Sequence, residues 1–313
     1  MAGARSPQAN VGQFSARIAG IFERAQAARR DIFKRVGGQT LTMSAIVSRS
    51  WLADRLGENR VVDVRDGWEY NGIGHIPGAV NIPFDSFRAG EGGDEGMLPG
   101  GVVFAGLLGE AGVEPGDHLV AYDDHHGVFA ARLLVTAALY GHPRDRLHLL
   151  DGDFTAWQRE RETSTEAPAV EPTTYEAERP AETPLVDAET VAAAVEDPDT
   201  VLVDTREERE FAAGHIPGAV RLDWRAVVDE ETRGLMSEAE VRSLLEARGV
   251  VPDRRVLLYC NTARRISHTY TVLRHLGYPD LAFYEGSLTE WERDGRPIET
   301  AEGGSETGPG TDS

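Results

Sequence analysis

Cys260 is the only cysteine in the chain, and its neighbours are those of a nucleophile. The apolar run Val256-Leu257-Leu258-Tyr259 leads into it, and Asn261-Thr262-Ala263-Arg264-Arg265 separates it from a helical pattern. A strand, a short turn and a helix start set one thiol over a ring of backbone N–H groups. Those groups and the helix dipole favour negative charge on sulfur. Arg264 and Arg265 add a cationic rim. Two cations at a helix N-terminus are electrostatically unfavourable by themselves, so an anionic ligand accounts for them, although surface arginines of an ordinary helix start remain the plain reading. Asn261, Thr262 and Ala263 complete the expected ligand-binding turn.

The elements that carry this turn follow from the hydrophobic pattern of the second half. Val201-Leu202-Val203 is a buried strand, and a short helix starts in 206–212. Residues 237–248 form an amphipathic helix, with Ser237 as N-cap and Glu240 completing a capping box. A strand at 256–259, a helix from about 266 to 276, a strand at 281–284 and a last helix near 288–293 follow. Alternating strands and helices imply parallel βαβ units with helices on both faces. Ligands of such sheets sit at the carboxyl ends of the strands, and Cys260 follows one directly.

Self-similarity sets the organisation. Gly74-His75-Ile76-Pro77-Gly78-Ala79-Val80 recurs unchanged from Gly214 to Val220, and Asp63/Arg65 recurs as Asp204/Arg206. Tyr122 matches Tyr259, Gly141-His142-Pro143 matches Gly277-Tyr278-Pro279, and Gly152…Trp157 matches Gly286…Trp291. Order and spacing hold throughout, which marks a duplicated domain. The stretch 160–183, rich in Glu, Thr and Pro, reads as an extended linker, and the tail from 301 to 313 has almost nothing to bury.

At 313 residues the chain suits two domains. No stretch approaches the apolar length of a membrane helix, and the N-terminus lacks a secretory core, so a cytoplasmic protein without a membrane is expected. One cysteine excludes a disulfide framework and makes a thiolate zinc site unexpected. A net charge of −20 argues against nucleic acid as a partner. Residues 1–42 depart from this balance: six arginines and Lys34 stand against Glu23 and Asp31, a net of +5. Ile18, Ile21, Phe22, Ala25, Ala28, Ile32 and Phe33 fall at roughly helical spacing there, but a disordered extension or a non-native start is the expectation. No phosphate loop, cofactor motif or metal cluster stands out, and no cofactor is expected. Asp123-Asp124-His125-His126 are adjacent residues, which rarely converge on one ion.

The paired GHIPGA blocks, the run Tyr259-Cys260-Asn261-Thr262-Ala263-Arg264-Arg265-Ile266-Ser267-His268-Thr269 and Gly286…Trp291 resemble the rhodanese family, specifically its two-domain thiosulfate sulfurtransferases. The resemblance implies tandem α/β domains, an inactive one at 50–165 and a catalytic one at 185–300, joined by a linker at 166–184. It implies double displacement: Cys260 takes the outer sulfur of a small anionic donor as a persulfide and passes it to an acceptor such as cyanide, a thiol or a carrier protein. It also suggests Arg206 as a substrate-binding residue, with Arg209 a weaker candidate, and a structural pair for Arg65. Asp123 is the aligned position in the first half, where a carboxylate cannot hold a sulfur. A core position is not expected to accept Asp123, which favours a functional reading of the slot. His75 and His215 read as hydrogen-bonded turn residues, and Trp157 and Trp291 as core anchors. Thiosulfate enzymes of the family carry basic residues immediately after the cysteine, and 3-mercaptopyruvate enzymes small neutral ones. Here Asn261 and Thr262 are neutral and the charges follow, so thiosulfate is the first expectation and 3-mercaptopyruvate the alternative. A rhodanese-like phosphatase needs its arginine six positions after the cysteine, where Ile266 stands. A non-catalytic binding module is the remaining class, favoured only by an unreactive Cys260.

Overall fold

A computed structural model describes residues 44–88 and 97–300. The basic N-terminal segment and the tail from 301 lie outside the described residues. Both repeat halves belong to one compact unit that starts at Ser44.

The first half contains the strands β1 (Ile46–Val47), β2 (Arg60–Asp63), β3 (Val80–Asn81), β4 (Leu119–Tyr122) and β5 (Leu147–Leu150). The second contains β6 (Leu185–Val186), β7 (Thr200–Asp204), β8 (Val220–Arg221), β9 (Arg255–Tyr259) and β10 (Leu281–Tyr284). Each half is one parallel sheet, with orders β1-β5-β4-β2-β3 and β6-β10-β9-β7-β8. The central strands β4 and β9 are flanked on both edges and covered on both faces, so Leu119 to Tyr122 and Val256 to Tyr259 are fully buried. That is why these strands read as unbroken apolar runs rather than alternating ones. Their carboxyl ends carry Asp123 and Cys260.

The expected elements of the second half are present with shifts of one or two residues at their ends. The helix Glu238–Glu246 has the capping box of Ser237 and Glu240. The helix after Cys260 begins earlier than its apolar pattern does, at Arg264, and runs to His275. The pattern hid this start because the first turn is two arginines.

The halves meet through their longest helices. Helix Val128–Leu139, which follows β4, is buried at every position but Phe129, and it packs against helix Arg264–His275. One apolar cluster runs from the first sheet through this contact into the second. Arg132 is buried within it because Glu285 of the other half takes its guanidinium at 2.5 and 3.0 Å. Unpaired, such a charge would not be tolerated there.

The linker holds no helix or named strand, and it is laid along the first half. Ser164 and His75 exchange main-chain hydrogen bonds, the Thr173 N–H donates to Gly109 O, and the Glu178 N–H donates to Tyr140 O. Tyr175 is buried, its hydroxyl 3.0 Å from His142 Nδ1. A β-carbon on Gly109 would stand 2.6 Å from Thr173 O, so a glycine is needed for the linker to approach this closely.

Candidate active site

Each half builds the same frame under its loop. In the second, the Asp204 carboxylate accepts Arg206 Nε at 3.0 Å and Nη2 at 2.6 Å, and Nη2 also donates to Gly214 O at 2.6 Å. Tyr259 completes it: its hydroxyl accepts the Ile216 N–H at 3.0 Å, and burial beside Asp204 raises its pKa far above the usual phenol range. Asp63, Arg65, Gly74, Tyr122 and Ile76 repeat this arrangement. The GHIPGA histidines close the frame from the rim. His75 Nδ1 lies 3.0 Å from Tyr70 O and His215 Nδ1 2.9 Å from Phe211 O, and each ring stacks on the aromatic side chain of that same residue.

Arg206 therefore does not face a ligand. The expectation that it binds substrate gives way to the structural pairing assigned to Arg65, because it is buried and its Nε and Nη2 are committed to Asp204 and Gly214. One difference remains. Arg206 Nη1 lies 3.4 Å from Asn261 Oδ1, whereas Arg65 Nη1 has no partner among the described residues. In the second half the frame reaches up and grips the loop.

The loop itself is tightly held. Cys260 is 1% exposed. Its N–H donates to Ser287 Oγ at 3.2 Å, and its carbonyl accepts the Leu288 N–H at 2.9 Å. Ser287 is buried, donates to Tyr284 O at 2.9 Å and adopts φ of 53°. Ala263 has φ of 60°, a left-handed turn that costs a non-glycine residue energy and bends the chain around the sulfur. The N–H groups of Asn261, Thr262, Ala263 and Arg265 find no acceptor among the described residues. Thr262 is exposed at the mouth, while Ala263 is buried.

The two arginines part company. Glu210 accepts Arg265 Nη1 at 2.5 Å and Asn261 Nδ2 at 2.8 Å. Although burial pushes the other way, this pairing holds the Glu210 carboxyl below its usual range. Asn261 is thus fixed between Arg206 and Glu210 as a brace, and its side chain is not offered to a ligand as expected. Arg265 is largely neutralised. Arg264 has no carboxylate partner among the described residues; its guanidinium lies over the Phe129 ring of the other half, 4.9 Å from the centroid, with Nε buried and unpartnered. Burial, and then the charge of Arg265, lowers its pKa, and Cys260 acts in the opposite sense.

The first-half loop is closed. Asp123 is buried, contrary to the view that a core position would refuse it. Its carboxylate accepts the N–H groups of His125, Gly127, Phe129 and Ala130 at 2.7 to 3.0 Å. Burial raises its pKa, and the four N–H bonds pull against that. From the other half, Arg233 reaches in to Asp153 at 2.6 Å and to Asp124 O at 3.1 Å. Among the described residues no group of three acidic, histidine or cysteine side chains could hold a metal, Asp123 to His126 included, and no helix is long and apolar enough to cross a membrane.

Glu210, Ser287 and Phe129 escaped the sequence reading. Ser287 follows the repeated glycine, aligned with Asp153, and that alignment was the signal available. Glu210 and Phe129 reach the loop only through tertiary packing.

The model of the rhodanese-like domain matches residues 48–160 and 187–294. A thiosulfate sulfurtransferase of Pseudomonas aeruginosa is 33% identical over 261 residues, which cover 79% of this chain and 93% of that protein. A thiosulfate sulfurtransferase of Corynebacterium glutamicum is 33% identical over 297 residues, covering 82% and 91%. The crystal structure of SseA from Escherichia coli, described with the rhodanese fold of 3-mercaptopyruvate sulfurtransferases, superposes with a TM-score of 0.70 at 25% identity, covering 78% of this chain and 99% of that one.

Proposed function

The chain belongs to the rhodanese family, and from that premise we propose that it is a sulfurtransferase whose Cys260 carries the transferred sulfur as a persulfide. The observation that supports this most strongly is the contrast between the two loops. One encloses its own carboxylate with four N–H groups; the other encloses a thiol, and its Asn261, Thr262, Ala263 and Arg265 N–H groups have no acceptor among the described residues. The fold thus makes an anion cradle twice, and only one of them is open for chemistry.

In the first step the Cys260 sulfur attacks the outer sulfur of thiosulfate. A new S–S bond forms, the donor's S–S bond breaks, and sulfite leaves with the bonding pair. In the second, an acceptor such as cyanide or a thiol attacks the outer persulfide sulfur and returns the pair to Cys260. The free N–H groups around the loop meet the charge that develops on the moving sulfur, and they need no reorganisation to do so. Arg264 binds the anionic end of the donor, since it is the loop cation without a carboxylate partner among the described residues. Arg265 and Asn261 hold the loop through Glu210, and Thr262 and Ala263 shape it. We place this chemistry in the cytoplasm, where a free thiol stays reduced, and neither step draws on a cofactor.

A second donor has one observation in its favour. With Arg265 neutralised and Asn261 and Thr262 uncharged, the loop presents a single cation, which suits the monoanion 3-mercaptopyruvate. Steady-state kinetics with thiosulfate and cyanide test the proposal. Parallel double-reciprocal lines, with sulfite released before acceptor is added, are expected. Thiocyanate formation that needs both reactants bound together would contradict it.

A further inference from the structure

Arg264 matches one negative charge, and thiosulfate carries two. A second cation stands across the interface, on the half that has no nucleophile. Phe129, whose ring underlies Arg264, meets Phe84 edge-on at 4.6 Å between centroids, and Arg88 lies over Phe84 at 5.1 Å. Each guanidinium therefore lies over one ring of an edge-on pair that crosses between the halves. Both have a buried Nε without a partner among the described residues.

Among the described residues, neither cation is firmly neutralised. The carboxylate that meets Arg88 is Asp85, three residues earlier, at 2.9 Å and 75% exposed; a pair of this kind is weak and easily exchanged. Arg88 lies close enough to Arg264 to oppose its charge, as Arg265 does. Like charges brought together against apolar rings favour an anion between them, and the rings raise its value by keeping water away.

We propose that Arg88 is a donor-binding residue, the second cation of a two-domain clamp in which a dianion such as thiosulfate lies between Arg88 and Arg264 with its outer sulfur toward Cys260. This rests on the sulfurtransferase reading above. It makes the first half a contributor to donor choice, and it favours the dianion over the monoanion that the loop by itself would suit.

Calorimetric titration of thiosulfate into full-length Cys260→Ser reads binding without sulfur transfer. Adding Arg88→Gln weakens that affinity about tenfold, the scale of one lost charge contact in a partly shielded cleft. Arg88→Lys keeps affinity to within about threefold, as a retained charge should. For 3-mercaptopyruvate, Arg88→Gln costs less than about threefold, because Arg264 suffices for one charge. Unchanged thiosulfate affinity in Arg88→Gln overturns the proposal. An equal loss for both donors also overturns it, since that marks a disturbed fold rather than a lost second charge. Failure of the unsubstituted protein to place sulfur on Cys260 would overturn the sulfurtransferase reading instead, and the binding comparison separates the two.

Discussion

At the end of β4 the chain turns around a carboxylate, and at the end of β9 it turns around a thiol. The frames beneath are nearly superimposable in their bonding: an aspartate-arginine fork, a tyrosine hydroxyl and a repeated glycine-histidine turn. Above them the halves differ in what they leave unsatisfied. The first loop spends its N–H groups on Asp123 and receives Arg233 from outside. Among the described residues the second keeps four N–H groups without acceptors and Arg264 without a carboxylate, and it fixes the rest through Glu210, Arg206 and Ser287. Duplication thus yields one half whose loop is satisfied and one that carries uncompensated polar groups where the proposed reaction places its donor, the usual tension between a stable site and an active one.

That comparison breaks most sharply at Asp123. Asp123→Ala leaves four buried N–H groups without an acceptor, so urea denaturation is expected to show a loss of about 4 kcal/mol. Cys260→Ser, in the open loop, should cost less than about 1 kcal/mol. Similar losses at the two positions would mean that the first loop is not an occupied anion cradle. Next in size, Arg264→Gln should lower kcat/KM for thiosulfate about a hundredfold, mainly through KM, because it removes the unneutralised cation of the open loop.

His268 gives a smaller and pH-dependent effect. It is buried in helix Arg264–His275 close to His126, and burial holds its pKa down to about 4. The aligned residue of the other half is Arg132, which is paired to Glu285. A histidine kept neutral in the fold protonates near its ordinary value once unfolded, so the unfolded state takes up the proton first. Stability is therefore full above that ordinary value and falls as pH drops toward about 4. Between pH 7 and pH 5 the contribution is about 2 kcal/mol, to be read as the difference between the pH profiles of the unsubstituted protein and His268→Leu. Identical profiles would contradict it. Smallest, Glu210→Gln should lower both KM for thiosulfate and kcat by about threefold, since it frees the Arg265 charge while loosening the Asn261 brace. A change in neither would remove Glu210 from the account.

Much of this was legible in the chain. The repeat fixes two like domains, and the apolar runs before Asp123 and Cys260 announce central parallel strands whose ends carry a site. What escaped the sequence is long-range. Arg206 and Arg265 read as anion-binding cations because their carboxylates, Asp204 and Glu210, do not announce a pairing by spacing alone. Asp123 seemed incompatible with a core, since hydrophobicity counts against a buried carboxylate, whereas four converging N–H groups make the position polar. The linker read only as extended, because its composition cannot show that Gly109 gives it a surface to lie on. Phe129 joined the site only when the two helices packed.

The most direct test of the central claim is the intact mass of the protein after thiosulfate, beside Cys260→Ser treated alike. The account predicts a gain of about one sulfur atom on the unsubstituted protein, lost on adding cyanide and absent from the variant. No gain with either thiosulfate or 3-mercaptopyruvate, or an equal gain in Cys260→Ser, would contradict it.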